Sequence, residues 1–102
     1  MKQIINGKTY NTETAEKIGE WNNGLGYSDF RHCSESLYRT KKGAWFIKGK
    51  GGAMSQWSES NGNTTWGSSG IRVLIESEAL DWCERHEIDA DAIEANFSVE
   101  EA

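Results

Sequence analysis

Apolar and polar positions alternate with a period of two through Glu35–Gly52, ESLYRTKKGAWFIKGKGG, and the rest of the chain is organised around that stretch. Leu37, Trp45 and Ile47 share one face of the extended chain, and Tyr38, Phe46 and Lys48 share the other. Between the two runs, Lys41-Lys42-Gly43 places a glycine where a three-residue loop needs a positive φ. The pattern predicts a β-hairpin with one face on a core and the other turned to water or to a partner. Gly49, Gly51 and Gly52 are expected to end its second strand, because glycine leaves nothing to pack.

On either side the pattern is shorter. Lys2 to Ile5, Asn6-Gly7 and Lys8 to Tyr10 read as a small hairpin on a type I′ turn. From Thr12 to Asn22 the apolar residues Ala15, Ile18 and Trp21 recur at helical spacing opposite Glu13, Glu16, Lys17 and Glu20, which predicts a helix stopped by Asn22-Asn23-Gly24. Leu25 to Arg31 is a connector anchored by Tyr27 and Phe30. Ala53 to Gly70 is a long polar loop in which Trp57 and Trp66 either cover the core or form a contact surface. Ile71 to Ile75 is a β-branched strand. Ser77 is expected to cap a helix running to about Glu87, and a last short helix spans Asp89 to Phe97, followed by a frayed tail, 98–102. The order ββ-α-ββ-β-α-α predicts a single α+β domain over 1–102, a small hairpin-based antiparallel sheet with two or three helices packed on one face.

Composition sharpens this picture. With 102 residues, 36% of them hydrophobic, the core must be thin, and five tryptophans supply much of its area. No apolar run is long enough to span a bilayer and Met1 to Asn6 lacks a signal-peptide core, so a cytoplasmic protein with no membrane partner is expected, with Cys33 and Cys83 as thiols. The net charge of −5 is unevenly placed. Residues 76–102 hold ten acids against Arg85 alone, whereas residues 31–50 hold six bases against Glu35 alone. The chain is electrically two-ended.

Candidate chemistry is sparse. His32, Cys33, Cys83 and His86 are zinc-compatible ligand types, but the adjacency of the first two and the core-facing arc of the last two fit a buried thiol and a satisfied histidine better. Neither cysteine is marked as a nucleophile, and carboxylates at helical spacing are ordinarily a solvated face, so no catalytic residue, metal or cofactor is assigned. Lys48-Gly49-Lys50-Gly51-Gly52 lacks the spacing of a phosphate-binding loop. Two surfaces remain. Tyr38, Arg39, Lys41, Lys42, Phe46, Lys48 and Lys50 could hold nucleic acid, the bases on phosphates and the aromatic rings stacked on nucleobases. Glu13, Glu16 and Glu20 on one expected helix, with Glu78, Asp81 and Glu84 on another, form acidic stripes suited to a basic groove on another protein.

The segments IINGKTYNTETAEKIGEW, ESLYRTKKGAWFIKGKGGAMSQWSES and SEALDWCERHE resemble a family of short, largely uncharacterised proteins carried by prophages and conjugative elements of Gram-positive bacteria. That resemblance implies an accessory role on a mobile element. Small acidic proteins from such elements include anti-CRISPR inhibitors, which block a nuclease by occupying its nucleic-acid groove. The expectation is therefore a non-catalytic binding protein, an anti-defence inhibitor docking acidic helices on a host protein such as a CRISPR effector, with a nucleic-acid-binding accessory protein as the alternative.

Overall fold

The computed structural model describes residues 1–26 and 28–102. They form a mostly β, α+β structure built on an antiparallel sheet of four strands in the order β3-β4-β5-β8, where β3 is Glu16–Asn22, β4 Cys33–Arg39, β5 Trp45–Gly51 and β8 Ser68–Leu74. The central pair is the hairpin expected from the alternation, with Leu37 opposite Ile47 and Tyr38 opposite Phe46. Its loop is Lys41–Gly43, closed by the Thr40 N–H to the Ala44 carbonyl at 2.8 Å, and Gly43 takes φ +89°. Strands β1 (Lys2–Ile5) and β2 (Lys8–Asn11) form a separate hairpin with Asn6 and Gly7 both at positive φ. Two short strands, β6 (Glu59–Ser60) and β7 (Thr65–Trp66), interrupt the expected long loop.

The helix expected from Thr12 to Asn22 is absent; Glu16–Asn22 is an edge strand. A β-bulge between Lys17 and Gly19 explains the misleading spacing. In a regular strand, residues three apart point to opposite faces, but the extra residue of a bulge resets the alternation. Ile18 and Trp21 thereby both reach the same core, with the i, i+3 spacing of a helix.

Helices α1 (Glu76–Arg85) and α2 (Ala90–Asn96) cover one face of the sheet. The first starts two residues earlier than expected, capped at Ile75, whose N–H is accepted by Glu78 Oε1 at 2.9 Å; Ser77 is not the cap. Beneath the helices lies the main core, where Leu37, Trp45, Ile47, Trp57, Trp82 and Cys83 meet and Phe97 stacks on Trp45. Among the described residues no helix is long and apolar enough to cross a membrane.

The opposite face carries a smaller cluster. Tyr10 on the β1–β2 hairpin meets Phe46 edge-on at 5.6 Å, and Phe46 stacks on Tyr38 at 5.2 Å. Trp57 is buried in the main core and Trp66 stands 41% exposed, so the two tryptophans of the long loop have different duties. Phe30, expected as an anchor, is 67% exposed, and Tyr27 lies outside the described residues.

Candidate functional site

Glu35 follows Cys33 and precedes Leu37 on β4, so the two-residue period aims it at the helix-covered face, among apolar neighbours. It is 3% exposed. A carboxylate in such a place is stable only if its oxygens are occupied by donors, and three side chains supply them. The indole N–H groups of Trp57 and Trp82 donate to Oε2 and Oε1 respectively, each at 2.8 Å, and the Gln56 amide donates to Oε2. Three elements converge on one side chain, since Glu35 sits on β4, Trp82 on α1, and Gln56 and Trp57 on the loop after β5.

The glycines of β5 make room for this arrangement. A Cβ on Gly49 would stand 1.9 Å from Trp57 Cε2, so the indole can lie against the strand only because residue 49 has no side chain. Gly51 and Gly52 are similarly closed over by Ser55 and the Phe30 carbonyl. The glycines therefore continue the strand to Gly51 by admitting close neighbours, where the sequence suggested that they end it.

Above Glu35 opens a pocket of about 470 Å³ between the sheet and α1, bounded by Trp21, Trp82, His86, Gln56 and Arg72. His86 stacks on Trp21 with ring centroids 4.2 Å apart and meets Trp82 edge-on at 4.9 Å, and its Nε2 lies 4.0 Å from Glu35 Oε1. Burial lowers the imidazole pKa, with Glu35 opposing that shift and Arg85 adding to it. Arg72 lies over the Trp57 ring at 4.8 Å and Arg85 donates to Asp81 at 2.9 Å. Sequence reasoning passed over Glu35. The signal that could have found it was an acid at a core-phase position of β4 in a chain whose tryptophan N–H groups need buried acceptors.

The thiols lie in the same core. Burial raises the pKa of Cys33, and that of Cys83 to about 11, which leaves both poor nucleophiles. His32 Nδ1 sits 2.9 Å from the Asp29 carbonyl while His86 stacks on Trp21, and among the described residues no three His, Cys, Asp or Glu side chains gather around a metal-sized site.

The residues picked for a nucleic-acid surface are scattered. Tyr38 and Phe46 are buried against each other and cannot stack on bases. Arg39 lies over Trp45, Lys41 and Lys42 are exposed at the hairpin tip, and Lys48 and Lys50 follow the alternation to the face away from the helices. The acids divide likewise. Glu13 occupies a turn and Glu16 and Glu20 lie on the edge strand, Glu20 ion-paired with Lys17, so they form no helical stripe. Glu78, Asp81 and Glu84 do share α1 and all three are exposed. Comparison with known protein families, with curated proteins and with solved structures finds no match to this chain.

Proposed function

We propose that this chain is a non-catalytic binding protein whose acidic α1–α2 pole docks on a cationic surface of another protein. The observation that carries this reading is the outward face of α1. Glu78, Asp81 and Glu84 are exposed there, and among the described residues the only ion pair made by a carboxylate of either helix is Asp81 with Arg85. Helix α2 adds Asp91 and Glu94 and has no basic residue in its last turn. Such a face attracts a basic partner over several ångströms of water and raises the encounter rate before any contact forms. Trp45, Trp57, Trp82 and the two thiols, by contrast, are engaged in holding the core together.

The resemblance to proteins of mobile elements narrows the partner to a component of a host defence system, and the basic nucleic-acid groove of a CRISPR effector nuclease has the required sign of charge. The test is in vitro cleavage by a purified effector with and without this protein. Inhibition by the native chain, abolished by combined Glu78→Lys, Asp81→Lys and Glu84→Lys changes that leave circular dichroism unaltered, is the expected result. Inhibition that survives the triple reversal refutes docking through this face, and lack of inhibition by the native chain refutes the nuclease as partner.

A further inference from the structure

The pocket over Glu35 opens beside the acidic face of α1, and Glu78 and Asp81 belong both to that face and to the pocket wall. Its floor is the Glu35 carboxylate. Among the described residues, Glu35 Oε2 accepts two N–H groups, from Trp57 and Gln56, and Oε1 accepts one, from Trp82. A carboxylate oxygen has room for two. His86 Nε2 lies 4.0 Å from Oε1, too far for a direct hydrogen bond. An N–H-rich group lying just off the line between the two atoms would be within about 2.8 Å of both.

The walls match that group. The half-buried Trp21 offers aromatic surface to a cation, and the charges around the pocket are Glu35, Glu78 and Asp81 against Arg72 and Arg85, one carboxylate in excess. Both arginines already have partners, Asp81 for Arg85 and the Trp57 ring for Arg72, so neither donates to Oε1. An anion would meet the excess carboxylate, and a neutral ligand would leave it uncompensated.

We propose that this pocket receives one basic side chain of the docked protein, its guanidinium or ammonium seated beside the Trp21 ring and donating to Glu35 Oε1 and His86 Nε2. This inference rests on the docking reading for the identity of the partner, but the pocket's preference for a cation can be tested without one. The indole N–H resonances of Trp82 and Trp57 report directly on the floor. The full chain, labelled with nitrogen-15, is titrated at constant ionic strength with ethylguanidinium and with n-butylammonium, and separately with neutral propylurea and with propionate.

A saturable shift of the Trp82 indole signal with the cations, at least tenfold weaker with propylurea and absent with propionate, is the expected result. Glu35→Gln should abolish it; Trp21→Leu, which leaves the three hydrogen bonds of Glu35 untouched, should weaken it at least tenfold and keeps the test valid if Glu35→Gln fails to fold. No saturable shift with either cation up to about 100 mM, or equal response to propylurea, overturns the proposal. Glu84 lies outside the pocket lining. Glu84→Lys should therefore leave the probe titration unchanged while weakening nuclease inhibition, so that loss of the docking reading and loss of the pocket reading register in different measurements.

Discussion

At the scale of single residues, the fold turns on groups that cannot be exchanged for near neighbours. Glu35 is held by donors alone, so its amide analogue would turn an N–H toward one of them and leave a buried donor without an acceptor. Glu35→Gln is expected to lower unfolding free energy by roughly 2 to 4 kcal/mol, measured by urea denaturation. Gly49→Ala strikes the same network from the opposite side, since the new methyl must displace the Trp57 indole and with it a hydrogen bond to Glu35. A loss of about 3 kcal/mol is expected. Gly62→Ala provides the comparison: it has positive φ but no atom within 4 Å, and should lose only about 1 kcal/mol. His86 adds a pH dependence of known sign. Its pKa is lowered from 6.5 in the folded protein, chiefly by burial, so as pH falls the unfolded chain takes up this proton first. The resulting stability is present in full above about pH 6.5 and is lost as the pH drops through the lowered value. The gap in urea midpoint between the native chain and His86→Gln should therefore shift against the native chain between about pH 7.5 and about pH 5.5; a gap that does not change would mean that the imidazole is as solvated when folded as when unfolded.

At the scale of elements, the β1–β2 hairpin packs on the sheet through an aromatic cluster, Tyr10 with Phe46 and Tyr38, with Ile5, Ala15, Ala44 and Ile71 around it. Tyr10→Ala should cost about 3 kcal/mol. Because β1 and β2 form a two-stranded sheet of their own, amides of Lys2–Asn11 should exchange rapidly in this variant while those of β4 and β5 stay protected. Uniform loss of protection would show that the hairpin and the sheet form one cooperative unit. The elements also differ in how far the sequence reveals them. The β4–β5 hairpin, its loop and the division of Leu37, Trp45 and Ile47 from Tyr38 and Phe46 follow from a period of two, a local rule that tertiary packing did not alter. Strand β3 did not, since the bulge at Lys17/Gly19 gave a strand the spacing of a helix, and only its pairing with β4 decides between the two. Gly49 is equally illegible in isolation. Whether a glycine ends a strand or admits a ring against it depends on Trp57, eight residues away. The pocket was hidden for the same reason: Trp21, Glu35, Gln56 and His86 come from four separate segments and share no spacing.

At the scale of the whole molecule, the excess of nine negative charges in residues 76–102 governs how stability responds to salt. The three ion pairs between side chains of full charge join residues no more than four apart, Lys17–Glu20, Asp29–Arg31 and Asp81–Arg85, among the described residues. Pairs so close in sequence survive partly in the unfolded chain, and exposed ones are weak, so screening them changes the folding balance little. Lys48 and Lys50 lie on the sheet face turned away from the helices, and the shortest dimension of the molecule is 21 Å, more than twice the screening length of about 8 Å at physiological salt. They therefore relieve little of the repulsion on the other side. Folding gathers Glu76, Glu78, Asp81, Glu84, Asp91 and Glu94 onto two adjoining helices, and compaction raises their mutual repulsion above that in the extended chain. Repulsion outweighs the local pairs, so added salt should stabilise the protein. Between about 0.05 and about 0.5 M sodium chloride we expect a gain of about 1 kcal/mol, equivalent to a rise of about 4 to 8 °C in Tm. Replacing Asp91 and Glu94 by lysine should raise Tm at low salt and flatten the salt response. A fall in Tm with salt in the native chain would mean that attraction across the sheet, rather than crowding of carboxylates on one side of it, sets the electrostatic balance of the fold.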